Sequence, residues 1–192
     1  AEIALLREAG HEVLLHASDN DKISGLLSKL SAALSATYSH SAKRDLARVL
    51  KRQTPHVVHV HNFFPTLSPS IYDACAEAGV AVVQTLHNYR TICAGGLLLR
   101  EGKICELCVE GSPFTAVKYG CYRGSKAGTL AVARMVATHR KRRTWSRKIQ
   151  RVIALTEFAR AKFTEAGFDD ERIAIKPNFI ADPITGDEPE TS

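Results

Sequence analysis

The 192-residue sequence predicts an α/β fold with a doubly wound, mostly parallel sheet. Short segments of almost uniformly apolar residues alternate with helical segments, which is typical of parallel strands covered on both faces. Hydrophobic residues make up 45% and charged residues 24% of the chain, so collagen-like and wholly disordered classes are excluded. The net charge of +6 indicates a general attraction to anions without specifying a fold.

The individual elements follow from apolar periodicity and from residues that start or stop helices. Residues 1–9 are predicted to form a helix that ends at Gly10, and residues 12–16 (EVLLH) to form a strand. Further helices are predicted at 23–36, at 42–52 with Ser41 as N-cap, at 69–78 with Ser68 as N-cap, at 125–148 and at 157–166. Further strands are predicted at 57–61, 81–86, 151–155 and 173–176.

Both ends of the sequence are expected to be incomplete. A helix without an N-cap at residue 1 suggests that a strand and its loop precede it. Residues 182–192 are acidic, contain proline and lack large apolar side chains, which predicts a linker or tail. The predicted organisation is therefore one domain over residues 1–181, with a cysteine-rich insertion at 91–123, followed by the tail.

Polar side chains follow four of the predicted strands at their carboxyl ends, including Asn178 after the strand at 173–176. Open parallel sheets bind ligands in the crevice outside these ends, so the side chains are expected to surround one cleft. Their mixture of donors and acceptors suits a polyhydroxylated ligand such as a sugar. The alternative is a local role in turns and helix caps, for instance Thr156 capping its helix. The other residues are His61, Asn62, His87, Asn88, Thr156 and Glu157.

The insertion contains four of the five cysteines, spaced C-x11-C-x2-C-x12-C. They are Cys93, Cys105, Cys108 and Cys121. The central C-x2-C spacing lets two thiolates bind one ion, and two flanking thiolates would complete a closed tetrahedral site that favours structural Zn²⁺. A redox C-x2-C pair and incidental free thiols stay open as alternatives. Cys75 is predicted to be a small core residue.

A basic segment without acidic residues extends from Arg140 to Lys148. Apolar residues precede it and Trp145 lies within it, which is typical of an amphipathic segment on an anionic membrane surface. Two alternatives stay open. The cations would either oppose the dipole of a solvated helix end or bind nucleic acid.

The sequence resembles the N-terminal, acceptor-side domain of GT-B glycosyltransferases, specifically the retaining family 4 type. The insertion with its C-x2-C resembles a subgroup of these enzymes associated with cell-surface polysaccharide synthesis. The resemblance implies a Rossmann-like half of a GT-B fold that lacks its first strand and the entire C-terminal domain. The matching stretches, in the family's order, are LLREAGHEV (5–13), PHVVHVHNF (55–63), VVQTLHNYR (82–90), IALTEFARAKF (153–163) and IKPNFI (175–180).

The resemblance implies a glycosyltransferase of the hexosyltransferase type. It would transfer a sugar from a nucleotide-sugar donor to an acceptor hydroxyl of a lipid-linked or cell-surface polysaccharide precursor, with anomeric retention. His87 matches the histidine that approaches the donor sugar and would act by positioning and hydrogen bonding, because no nucleophile is assigned. Positions that match the acceptor side of the cleft are His61, Asn62, Asn88, Thr156 and Glu157.

In this family the C-terminal domain binds most of the donor nucleotide, so this chain by itself is expected to be inactive. The expected partners are the sugar acceptor and an anionic membrane surface bound through Arg140–Lys148, with no nucleic acid. The expected location is the cytoplasm, at the inner membrane face. Two other functions stay open: a zinc-bearing nucleic-acid-binding module that uses the cysteines and the basic segment, and a non-catalytic Rossmann-like domain that only binds the acceptor.

Overall fold

The computed structural model describes residues 2–17, 33, 35–64 and 67–180. These residues fall into two compact units, residues 18–176 and a smaller unit formed by 1–17 with 177–192. The predicted helix at 23–36 and the predicted tail at 182–192 lie almost entirely outside the described residues. The elements of each unit are therefore given separately.

The smaller unit contains one helix among its described residues, α1 (Glu2–Glu8). It is followed by Gly10 at a φ of 84°, which confirms the predicted helix end. Residues 11–17 form no strand, so the prediction of a strand at 12–16 is wrong. A strand exists only through ladder hydrogen bonds with a neighbour, and an apolar segment does not by itself supply that neighbour.

The larger unit alternates strands and helices along its described residues, as the sequence predicts. Among the described residues of both units, no helix is long and apolar enough to cross a bilayer. In chain order the elements are α2 (His40–Gln53), β1 (Val57–Val60), α3 (Ser70–Glu77), β2 (Ala81–Leu86), β3 (Leu99–Arg100), β4 (Lys103–Ile104), α4 (Leu107–Glu110), α5 (Thr115–Tyr119), α6 (Lys126–Lys141), α7 (Thr144–Lys148), β5 (Arg151–Ala154), α8 (Glu157–Glu165), a 3₁₀ turn (Asp170–Arg172) and β6 (Ile173–Ile175).

Four of these strands form a parallel sheet in the order β1-β2-β5-β6. Val57 pairs with Ala81, and Val83 pairs with Arg151, so the carboxyl ends of β1, β2 and β5 lie along one edge. The sheet confirms the predicted α/β class, with strand bounds within one residue of those predicted. Its Rossmann-like arrangement places the strand-end side chains where such sheets bind ligands.

The helices that flank the sheet begin at caps other than those predicted. Ser39, not Ser41, caps α2: its backbone is extended, and its hydroxyl accepts the N–H of Ala42 at 3.2 Å. Ser68 is not the N-cap that the sequence predicts for α3, because its φ of 54° is left-handed and not extended. Its hydroxyl accepts the N–H of Ser39 at 2.9 Å and that of Ser70 at 3.3 Å. Ser68 therefore joins the starts of two helices.

The predicted helix at 125–148 is two helices. Ser125 caps α6, but Arg143 has a φ of 51° and separates α6 from α7. The Thr144 hydroxyl lies 2.8 Å from Nδ1 of the buried His139, which stabilises this break. The reversal turns Trp145 into the core, where its ring centroid lies 5.9 Å from that of Phe63.

Trp145 lies at the centre of an aromatic cluster that joins α3, α7 and the segment after α8. Its ring centroid is 5.8 Å from that of Tyr72 and 6.4 Å from that of Phe168. Phe163 packs against Phe168 and is almost fully buried. Burial of these large rings is the main stabilising contribution to the helix–sheet packing.

Candidate functional site

Two imidazoles meet at the edge of the sheet where β1 and β2 end. His61 follows β1 directly and His87 follows β2 directly, and both side chains are exposed. His61 Nδ1 lies 3.0 Å from His87 Nε2, and the rings stack with centroids 5.3 Å apart. Val60 pairs with Gln84, so β2 extends two residues beyond the end of β1, and His87 reaches His61 diagonally across the same edge of the sheet.

The two histidines continue a row of polar residues on one face of the strands. His59 lies two positions before His61 and Thr85 two positions before His87, so side chains at these positions point to the same face. His59 Nε2 is 2.8 Å from Thr85 Oγ1, and the His59 and His61 rings are 4.2 Å apart. The His59–Thr85 contact thus orients His59, and His59 in turn supports the exposed His61 ring.

A crevice open to solvent extends from this histidine pair across the ends of β1 and β2. Asn62 and Asn88 line it with the two histidines, so the structure brings these four predicted residues to one place. The side-chain oxygen of Asn62 accepts the N–H of Phe64 at 3.3 Å, and that of Asn88 accepts the N–H of Arg90 at 3.0 Å. Both asparagines therefore shape the loops of the crevice through their side-chain oxygens.

Thr156 and Glu157 lie at the carboxyl end of β5, beside β2, but do not line this crevice. The Thr156 hydroxyl accepts the N–H of Ala159 at 3.1 Å and caps α8, which is the local role that the sequence left open. Glu157 is exposed in the first turn of the same helix. Their role in substrate binding stays a prediction.

The sequence reasoning missed Gln84, Thr85 and Thr91, which also line the crevice, as does Arg90 after β2. Gln84 accepts a hydrogen bond from the Tyr72 hydroxyl, and its own amide donates to the Thr85 carbonyl at 2.7 Å. The signal for Gln84 and Thr85 was available, because they are the two polar residues within the otherwise apolar strand AVVQTL.

Arg90 connects the crevice to the cysteine-rich insertion. Its guanidinium lies over the rings of Phe64, at 5.3 Å, and Tyr122, at 5.8 Å. Burial lowers the pKa of Arg90 from its ordinary value, although the group keeps its charge near neutral pH. A Cβ on Gly96 would lie 3.0 Å from Arg90 Nη2, and Gly96 has a φ of 80°, so this close approach requires glycine. The insertion therefore forms part of the wall beside the crevice.

All four cysteines of the insertion belong to the described residues and carry free thiols. Cys93 and Cys108 are buried, whereas Cys105 and Cys121 are half-buried. The Cys108 thiol donates to the Pro113 carbonyl at 3.9 Å, and the interaction between Cys93 and Cys108 lowers the pKa of Cys93 while it raises the pKa of Cys108. Cys75 lies in the core, where burial raises its pKa to about 11, so its predicted core position is confirmed.

The basic segment Arg140–Lys148 is partly used inside the protein. Arg140 donates to the carbonyls of Cys108, at 2.5 Å, and Gly111, at 2.9 Å, and Lys148 pairs with Asp73 at 2.5 Å. Trp145 is only 7% exposed, so the prediction that it lies at a membrane interface is wrong. The helix break turned it inward. The exposed cations of the segment are Lys141, Arg142, Arg143 and Arg147.

A family model described as a glycosyl transferase 4-like domain matches residues 2–178 of the chain. The match includes the sheet, the histidine crevice and the insertion. Comparison with curated proteins and with solved structures found no match.

Proposed function

The chain belongs to the glycosyl transferase 4-like family and is a glycosyltransferase domain, and we propose that it forms the acceptor side of a retaining hexosyltransferase. The enzyme would transfer a sugar from a nucleotide-sugar donor to a hydroxyl of a lipid-linked or cell-surface polysaccharide precursor. The observation that supports this most directly is the His61–His87 pair, 3.0 Å apart in an open crevice at the carboxyl ends of β1 and β2.

In this proposal His87 positions the donor sugar and His61 positions His87. A neutral imidazole offers one N–H donor and one acceptor nitrogen, which suits sugar hydroxyls. A hydrogen bond between two imidazoles needs one ring nitrogen with a lone pair, so the pair is held only while at least one ring is neutral. The amides of Asn62 and Asn88 would then bind acceptor hydroxyls at the rim. These contacts favour the transition state through orientation and electrostatics.

A substitution of His87 tests the assignment. We expect His87→Ala to lower kcat by about 10²- to 10³-fold, as removal of one positioned hydrogen-bonding group commonly does. The assay follows radioactive sugar from a panel of nucleotide-sugar donors into the lipid or polysaccharide fraction, using the intact protein with its donor-binding domain. His56→Ala is the matched control, because His56 is exposed just before the amino end of β1. Equal losses in the two variants would contradict the proposal.

The 192 residues by themselves are proposed to bind an acceptor without transferring sugar, because the family resemblance assigns the donor to a second domain. The measurement is NMR of the imidazole nitrogens during titration with simple glycosides. Shifts at His61 and His87 without product would support this division. Sugar transfer by the isolated chain would overturn it.

We also propose that the acceptor is presented at an anionic membrane surface, which the β3–β4 hairpin contacts in addition to the predicted basic segment. Leu99 and Ile104 are paired across β3 and β4, so they stand on one face of the hairpin, and both are more than half exposed. Lys103 lies beside Ile104, and the Arg100 guanidinium stacks on Tyr119 at 3.7 Å. Exposed apolar side chains beside cations are typical of surfaces that insert among anionic headgroups.

The predicted basic segment, at the end of α6 and in α7, also contacts the insertion. The hydrogen bonds of Arg140 to the carbonyls of Cys108 and Gly111 fix the basic end of α6 against α4. Clustered Lys and Arg near a bilayer each contribute about 1 kcal/mol of attraction to anionic lipid. The exposed part of the Arg140–Lys148 segment therefore keeps its proposed electrostatic role without Trp145.

Vesicle sedimentation tests this surface with phosphatidylcholine vesicles, with and without an equal part of phosphatidylglycerol. We expect binding only with phosphatidylglycerol, and Ile104→Ser to weaken it roughly tenfold, because one buried aliphatic side chain is lost. Leu130→Ser is the control, since Leu130 is 49% exposed on α6 and outside the hairpin. Binding to RNA at physiological salt, in place of vesicles, would favour the nucleic-acid alternative.

A further inference from the structure

The cysteine-rich insertion has little regular structure of its own. Its strands β3 and β4 have two residues each, and its helices α4 and α5 have four and five. Several of its large apolar side chains are exposed, so they add little to a core. A stretch of this length inside a compact unit commonly needs an additional cross-link or ligand to hold one conformation.

The four cysteines lie in four different local structures of this insertion. Cys93 follows the turn after β2, where its N–H donates to the Tyr89 carbonyl at 2.7 Å. Cys105 follows β4, where its N–H donates to the Leu98 carbonyl at 2.9 Å. Cys108 lies in α4, and Cys121 follows Gly120 at the end of α5. One ion bound to all four would therefore connect every part of the insertion.

The backbone brings these cysteines to one side of the insertion. The thiols of Cys93 and Cys108, which precede and follow the hairpin in sequence, are near enough for each to shift the pKa of the other. A Cβ placed on Gly95 would lie 3.8 Å from Cys93 Sγ and 3.5 Å from the Cβ of Cys121, so Cys93 and Cys121 both border Gly95. Cys121 is also near enough to Cys105 for their charges to interact. The C-x2-C cysteines and the two flanking ones are thus neighbours.

The backbone around these sulfurs is well defined. The Gly96 N–H donates to the Cys93 carbonyl at 3.0 Å, and the Cys108 thiol donates to the Pro113 carbonyl at 3.9 Å. Among the described residues, no three of the four sulfurs lie within 4.8 Å of one another. Tetrahedral binding therefore requires side-chain rotation, most easily at the half-buried Cys105 and Cys121.

We infer that Cys93, Cys105, Cys108 and Cys121 bind one structural Zn²⁺ ion that holds the insertion against the crevice. Four thiolates form a closed tetrahedral site, which favours zinc and leaves no position for a substrate. The ion would fix Gly96 where it contacts Arg90, so its effect on the sugar site is indirect. The inference does not depend on which sugar is transferred.

Disulfide chemistry is the main competing explanation. Cys105 directly follows the β3–β4 hairpin, and Cys108 lies in α4, so the C-x2-C lies between a strand and a helix. The Cys108 thiol donates to the Pro113 carbonyl at 3.9 Å, and the cysteines that shift its pKa are Cys93 and Cys121, from outside the C-x2-C pair. A redox C-x2-C requires its own two sulfurs to pair. A four-ligand site instead requires contact between the C-x2-C cysteines and the flanking ones, as Cys108 has with Cys93.

Metal analysis of the purified protein tests the inference. The protein is produced with zinc under reducing conditions, desalted and measured by mass spectrometry of the elements. We expect about one zinc per chain, as for a closed four-ligand site. Cys108→Ser is expected to lose most of it, whereas Cys75→Ala, in the core, should retain it. No zinc in the wild type, or equal zinc in the wild type and Cys108→Ser, would overturn the inference.

Cobalt spectroscopy tests the site in the wild-type protein, so its result does not depend on whether a cysteine variant folds. Co²⁺ added after zinc removal should produce thiolate-to-metal charge-transfer bands and the intense visible bands of tetrahedral coordination, and added Zn²⁺ should remove them. Cys105→His, which keeps a zinc ligand, should retain metal better than Cys105→Ser. A Cys93–Cys108 disulfide in a peptide map of the freshly purified protein, without cobalt bands after reduction, would show a redox pair in place of the metal site.

Discussion

The parallel sheet and the cysteine-rich insertion differ in what holds each of them in place. In the sheet, β1, β2, β5 and β6 pair with their neighbours, and helices bury the apolar side chains. In the insertion, pairing is limited to β3 with β4, and Ile104 is 79% exposed. The sheet therefore determines where the crevice lies, whereas the insertion determines what borders it. The following experiments separate these two contributions.

The largest effect is expected in the aromatic core beside the sheet. Trp145→Ala should lower the free energy of unfolding by about 3–5 kcal/mol, because it removes the ring that packs on Phe63, Tyr72 and Phe168. Guanidinium titration measures it. Trp145→Phe is the matched variant: the indole Nε1 has no hydrogen-bond partner among the described residues, so most of the stability should remain. Equal losses would show that ring packing is not the main contribution.

A smaller effect is expected where the insertion meets the crevice. Gly96→Ala should cost about 2–3 kcal/mol, because Gly96 has a φ of 80° and its new Cβ would meet Arg90 at 3.0 Å. Gly102→Ala has a similar backbone, with a φ of 74°, but open space around it, so its cost should be about 1–2 kcal/mol. Thermal unfolding compares the two. The same cost at both positions would mean that the Arg90 contact adds nothing.

A pH-dependent effect is expected at His139, which joins α6 to the rest of the larger unit. Burial lowers the pKa of this histidine. Its Nε2 donates to the Thr37 carbonyl at 2.8 Å, and its Nδ1 accepts from the Thr144 hydroxyl. The unfolded chain takes up a proton near the ordinary pKa of about 6.5, whereas the folded chain takes it up at lower pH.

Stability from His139 is therefore complete above about pH 6.5 and is lost as the pH falls below that value, by at most about 1.4 kcal/mol per pH unit. Urea titrations at a series of pH values measure the slope. His139→Gln should show a shallower slope than the wild type over the same range. An unchanged slope in that variant would assign the acid sensitivity to other groups.

The smallest effect on stability is expected at the exposed hairpin. Leu99→Ala should change the free energy of unfolding by less than about 0.5 kcal/mol, because the side chain is already 54% exposed. The same variant should weaken binding to phosphatidylglycerol vesicles. A large loss of stability in a urea titration would show that the hairpin packs as part of the core, which would remove the difference between the sheet and the insertion.

The sheet could be predicted from the sequence because its signal is local. Segments such as AVVQTL are too apolar and too rich in β-branched residues for a loop, and Gly79 and Gly167 mark helix ends, with φ values of 68° and 90°. That His61 and His87 lie on one edge was accessible for the same reason, since parallel strands end on one edge, but their direct contact was not. The strand predicted at 12–16 is wrong because pairing needs a neighbour that no local pattern specifies.

The course of residues 125–148 shows where local signals stop being sufficient. Continuous helix-forming residues predict one helix, and the basic residues predict a surface. The break at Arg143 depends on contacts distant in sequence: His139 reaches the Thr37 carbonyl, and Trp145 fills a space among rings of other elements. The gain from burying an indole exceeds the cost of one residue in the left-handed region, about 1–2 kcal/mol.

The sequence by itself determined the α/β class, the four paired strands, the glycosyl transferase 4-like family and the polar character of the strand ends. Each depends on residue types at short spacing. Only the tertiary structure decided that His61 meets His87, that Trp145 lies inside, and that Arg90 joins the insertion to the crevice. Those contacts depend on strand register and on competition for burial, which are properties of the whole packed unit.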